Sequence, residues 1–80
     1  MANAVNSSAK YIRRHPETEA ANTLYQLCLA LETGAAFELE RIYALDPKPF
    51  DLAIALLAEW RFDRHVTVRR VRKYLEQPDD

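Results

Sequence analysis

The chain has 80 residues, with 11 basic and 12 acidic side chains, a formal net charge of −1 and 49% hydrophobic residues. It is too short for two ordinary domains, and too apolar and too nearly neutral to be disordered throughout. A single cysteine excludes an internal disulfide, and a single glycine argues against a many-turned β fold or a glycine-rich phosphate loop. These counts predict one small all-α domain.

The first fifteen residues, 1–15, are predicted to form a flexible basic arm. They hold three basic side chains, no acidic one and few large apolar residues, and terminal segments of this kind are commonly poorly ordered. Residues 1–8 lack the apolar run of a signal peptide. Charges also interrupt every window of the roughly 18 apolar residues that a membrane span requires. We therefore expect a cytoplasmic protein without membrane contact.

A single helical domain is predicted over residues 16–77, followed by an acidic end at 78–80 that frays. Apolar residues recur at helical spacing, Gly34 supplies a left-handed helix end, and two prolines form a stiff corner in the middle of the chain. The pattern predicts a bundle of three to four helices, at about 17–33, 36–45, 49–62 and 67–77. Apolar and polar side chains also alternate over residues 65–69, as in a short strand. A strand there is the alternative to the start of the last helix.

The third predicted helix carries more apolar surface than so small a domain easily buries. One row includes Phe50 and Ile54, and a second row at i, i+4 and i+8 consists of Leu52, Leu56 and Trp60. The last predicted helix has only a thin apolar edge, so it covers one side of the third helix at most. An uncovered aromatic and aliphatic row is typical of a protein interface. The predicted interface residues are Leu29, Leu52, Leu56 and Trp60.

Charge is unevenly distributed along the chain. Residues 16–60 hold eight acidic and two basic side chains, whereas residues 61–74 hold six basic and one acidic side chain. The basic segment 61–74 is a candidate for contacts with nucleic acid, because Arg and Lys neutralise phosphates. Its candidate residues are Arg64, Arg69, Arg70, Arg72 and Lys73. The competing interpretation is that these side chains pair with the acidic middle of the same chain or are merely solvated.

Residues that could carry catalytic or metal chemistry have simpler explanations. Cys28 lies on the apolar stripe of the first predicted helix, where a buried free cysteine is ordinary core filling. His15 and His65 are far apart in sequence and neighbour arginines, which discourages metal binding. Glu38 and Glu40 point to different sides of a helix, so they do not form a catalytic pair. No enzymatic activity, metal, cofactor or small-molecule substrate is expected.

These observations predict a small non-catalytic protein–protein interaction module. It is expected to self-associate as a homodimer, or to bind a protein partner, through the surplus apolar helix face. The alternative is a nucleic-acid-associated protein that uses residues 61–74. Self-association is favoured because a chain of this size gains most from burying additional apolar surface.

Overall fold

A computed structural model describes residues 3–76 of the chain. Over that range the regular secondary structure consists of α-helices joined by short loops. The all-α class is confirmed, although the described part contains five helices rather than three or four. The helices are α1 (Ala4–Arg14), α2 (Glu19–Thr33), α3 (Leu39–Tyr43), α4 (Pro47–Phe62) and α5 (Arg64–Glu76). Residues 65–69 lie inside α5, so the strand alternative is wrong. The predicted frayed end at 78–80 falls outside the described residues.

The segment predicted to be an arm forms helix α1, which is a correction over residues 4–14. Asn3 caps the helix, because its side-chain oxygen accepts a hydrogen bond from the Asn6 backbone N–H at 3.1 Å. The helix ends at Arg14, since Pro16 disfavours helical geometry at the preceding residue. Its buried residues are mostly small: Ala4, Val5, Ser8 and Ala9. Small side chains let α1 pack closely on the rest of the protein, although they make its apolar signal weak.

Helices α2 and α3 are shorter than their predicted ranges of 17–33 and 36–45. Thr18 is the N-cap of α2, and its hydroxyl oxygen accepts from the Ala21 backbone N–H at 3.1 Å. Gly34 ends α2 as expected: it is left-handed, with φ of 79°, and its N–H donates to the Ala30 carbonyl at 2.7 Å.

Helices α4 and α5 both begin earlier than predicted. The corner at Pro47 and Pro49 is the first turn of α4, where the missing N–H groups of proline are not needed. Only Asp63 separates α4 from α5, and its Oδ1 accepts from the Val66 backbone N–H at 3.1 Å, as an N-cap does. Thr67, at the predicted start of the last helix, is instead a buried residue within α5.

The core is formed where α1, α2, α4 and α5 meet, since each of these four helices packs on the other three. Helix α3 packs on α4 and adds one buried side chain, Ile42. Leu24, Cys28 and Leu56 are fully buried at the centre. Among residues 3–76, the buried apolar cluster consists of Ala4, Val5, Leu24, Leu27, Cys28, Leu31, Ile42, Ala53, Leu56 and Val71.

One carboxylate joins three of these helices. Glu59 of α4 accepts a hydrogen bond at Oε2 from the Ala4 backbone N–H at 2.9 Å, in the first turn of α1. Its other oxygen, Oε1, lies 3.6 Å from Nη1 of Arg70 on α5, which is an ion pair rather than a hydrogen bond. The positive end of the α1 dipole also favours a negative charge here. The Glu59 side chain therefore holds the start of α1 and the middle of α5 against the end of α4.

Replacing Glu59 by Ala should lower the free energy of unfolding by about 1–3 kcal/mol, because it leaves the start of α1 without its acceptor and Arg70 without its partner. Urea denaturation followed by circular dichroism measures the change. Glu17→Ala is the matched control, since Glu17 is exposed and lies outside the helices. Equal stability of the two variants would contradict a structural role for Glu59.

Candidate interaction surface

The four predicted interface residues are not one exposed row. Leu56 is fully buried in the core, which corrects its assignment to a surface. Leu52 and Trp60 are half-buried and pack against the same core. Leu29 is also half-buried, and it lines a cavity of about 210 Å³ together with Phe37 and Arg41.

The physical reason is that α1 occupies this side of α4. Leu52, Leu56 and Glu59 share one helical face through their spacing of four and seven residues. The contact between Glu59 and Ala4 places α1 on that face. The sequence pattern offers only the last helix to cover this face of α4. In the structure, α1 covers it as well.

The exposed apolar side chains of α4 lie on another row. Phe50, Ile54 and Phe62 are 38%, 45% and 91% exposed. With the exposed Ala58 they follow a spacing of four residues, so they form a continuous stripe along the helix. We call these four residues the α4 apolar row. Ala53, on the buried face of α4, is completely inaccessible.

The α4 apolar row runs into a groove at the corner between α4 and α5. The groove has a volume of about 440 Å³ and a predominantly apolar lining. Its α4 wall consists of Ala58, Glu59 and Phe62. Its remaining lining comes from the linking residue and α5: Asp63, Val66, Thr67 and Arg70. The row and the groove together form a continuous apolar surface at the end of α4.

A second exposed apolar pair lies on the short helix α3. Leu39 and Tyr43 are 75% and 84% exposed and are four residues apart. Leu39 lines an open depression of about 600 Å³ that also includes Glu19, Glu38 and Glu40. The acidic surroundings make this surface less suited to apolar association than the α4 apolar row.

The five predicted nucleic-acid residues divide into two groups. Arg70 pairs with Glu59, and the Arg72 Nε donates to Glu32 Oε2 at 3.2 Å, so α5 is tied to α4 and α2. Both partners belong to the acidic middle of the chain, as the competing interpretation of the charge pattern expected.

The other three basic side chains have different surroundings. Arg64 is exposed, with its guanidinium 5.9 Å from the centre of the Trp60 ring, a cation–π geometry. Arg69 and Lys73 are exposed and four residues apart on α5. These two therefore share one face of the helix.

Among the side chains considered for catalysis or metal binding, the cysteine is buried and the two histidines are exposed. Cys28 is buried as predicted, and burial raises the pKa of its thiol from 9.0 to about 12. The His15 ring packs against the Tyr11 ring in a tilted arrangement, with ring centroids 4.4 Å apart, and His65 is exposed. Within residues 3–76 no group of three or more His, Cys, Asp or Glu side chains is arranged to hold a metal ion. A thiol with a raised pKa is a poor nucleophile.

Comparison with known proteins identifies no relative: no family model, no curated protein sequence and no solved structure matches this chain. In the described part of the chain, none of the helices combines the length and apolar character needed to cross a membrane.

The Cys28 thiol should react at least about 100-fold more slowly with a disulfide reagent in the folded protein than in urea, because it is buried and its thiolate is disfavoured. The rate of release of the coloured thiolate at pH 8 measures this. Similar rates in the two conditions would contradict the burial of Cys28.

Proposed function

We propose that this chain is a cytoplasmic, non-catalytic protein–protein interaction module that self-associates through the α4 apolar row. The observation that carries the proposal is the exposure of Phe50, Ile54 and Phe62 on the helix that also supplies the centre of the core. A row on such a helix is held rigidly, so it loses little conformational freedom on binding.

The exposed apolar residues of α4 are adjacent to one another, so the row could form the centre of an interface. Covering a fully exposed Phe or Ile side chain contributes roughly 1.5–3 kcal/mol. Phe62 still has nearly all of this surface to bury, whereas Phe50 and Ile54 have less than half. Aromatic residues near the middle of an interface commonly supply most of its binding energy. Exposed charged residues, Asp51 and Arg61, border the row and are suited to a polar rim.

Self-association should be weakened about tenfold or more by Ile54→Ser, because the substitution places a hydroxyl in the centre of the apolar row. Sedimentation velocity from micromolar to submillimolar concentration measures it. Since Ile54 is largely outside the core, circular dichroism of the variant should match that of the wild type.

Leu39→Ser is the matched control, because Leu39 is an exposed aliphatic residue on α3. It should leave association unchanged. A wild-type chain that stays monomeric at every concentration, or equal effects of both substitutions, would contradict the proposed use of the α4 apolar row.

A second candidate function, association with nucleic acid, is favoured by one observation: the exposed pair Arg69 and Lys73 on α5. Both side chains can reach phosphates on one face of the helix. The ion pairs of Arg70 and Arg72 reduce the charge that the rest of the segment offers, so this candidate ranks below self-association.

A gel shift with duplex DNA and with single-stranded RNA at low salt tests this candidate. If it is correct, the complex should dissociate as salt increases. The double substitution Arg69→Gln and Lys73→Gln should weaken binding, because fewer counterions are released from the nucleic acid when two phosphate contacts are missing. Lys48→Gln, at the start of α4, is the control and should have no effect. The absence of a shift at low salt would eliminate nucleic acid as a partner.

A further inference from the structure

We propose that one side of helix α1 binds the phosphate backbone of double-stranded nucleic acid through Lys10, Arg13 and Arg14. All three side chains are exposed. Their spacing of three and four residues places them within about 100° of one another around the helix. We call these three residues the α1 basic face. The inference goes beyond self-association, and it concerns a different helix from the basic segment 61–74.

The α1 basic face carries positive charge that the fold does not neutralise. Helix α1 contains no acidic residue, and among residues 3–76 none of its three basic side chains forms an ion pair. Arg70 and Arg72 of α5, in contrast, each face a glutamate. The α1 dipole favours Arg13 and Arg14, which lie in the last turn, but Lys10 lies one turn earlier. The capping effect therefore does not account for the whole cluster.

The spacing of these cations suits a chain of phosphates. Lys10 and Arg14 are separated by about 6 Å along the helix axis. Double-stranded DNA carries one phosphate about every 3.4 Å along each strand. Asn3 caps α1 and Glu59 accepts the Ala4 N–H, so the helix that presents the cations is already fixed at its start. Binding then requires little further ordering of the backbone.

The position of α1 in the fold argues against a membrane surface as the partner. A helix that lies on a membrane inserts its apolar face among the lipids. In α1 that face is already used: Val5 is buried, and the half-buried Tyr11 and Ile12 pack against the core. The side of α1 that meets solvent therefore offers charge without apolar anchors.

The same exposed side argues against a single strand. Single strands are commonly held by stacking their bases on aromatic side chains. The residues of α1 that share the exposed side with the α1 basic face are Asn6 and Ser7, and the only aromatic residue of α1, Tyr11, is half-buried. Contacts to phosphates position a duplex without reading its bases, so binding should not depend on sequence.

Fluorescence anisotropy of labelled DNA duplexes with the full chain tests the inference. The wild type should bind two duplexes of unrelated sequence equally at about 50 mM salt and release them as salt increases. The double substitution Lys10→Gln and Arg14→Gln should weaken binding at low salt at least about tenfold. It should also lower the slope of log affinity against log salt by about two, because two phosphate contacts are lost.

Lys48→Gln combined with Arg61→Gln is the matched control. It removes one lysine and one arginine from exposed positions of α4, so the two double variants have the same net charge. The control should leave the salt slope unchanged. Because Lys10 and Arg14 are exposed, circular dichroism of their double variant should match that of the wild type.

Several outcomes would overturn the assignment to α1. These are no binding at low salt, equal losses in the two double variants, or a loss confined to Arg69→Gln with Lys73→Gln. Tighter binding to the corresponding single strand, or to phosphatidylserine vesicles, would overturn the choice of a duplex. Sedimentation velocity separates this inference from self-association, because Lys10→Gln with Arg14→Gln should associate as the wild type does.

Discussion

The Glu59 carboxylate is the contact on which the arrangement of the helices depends. It accepts the Ala4 N–H of α1 and faces Arg70 of α5, so three helices meet at one side chain. Glu59 lies 55 positions from Ala4 in the sequence. Once α1 is fixed there, it covers the face of α4 that carries Leu52 and Leu56. The α4 apolar row lies on another face of the helix, so α1 leaves it uncovered. The same contact therefore completes the core and leaves the candidate surface exposed.

Helix α1 fulfils this role through small side chains rather than large apolar ones. Ala4, Val5 and Ser8 allow the backbones of two helices to approach closely, which increases dispersion contacts across the interface. Such a segment has little apolar area of its own, so composition alone suggested an arm. In a chain of this size, a fifth element that adds to the core is a substantial gain in stability, because the fraction of buried surface rises with each element packed.

The charge pattern has a similar double role. The chain is nearly neutral because basic ends balance an acidic middle, and in the folded protein part of that balance is realised as contacts from α5 to α4 and α2. The contact of Arg72 with Glu32 spans 40 positions and joins α5 to α2, whereas that of Arg70 with Glu59 joins α5 to the preceding helix.

The sequence by itself determined the class of fold and several boundaries. Gly34 had to end a helix because only its backbone adopts the left-handed conformation easily, and Cys28 belonged to the core by its periodic position. Periodicity also showed that α4 has two apolar rows. It could not determine which row faces water, since helical spacing fixes the rows relative to each other but not to their surroundings. Only the tertiary structure decided that, because the covering element, α1, is distant in sequence and is held by Glu59.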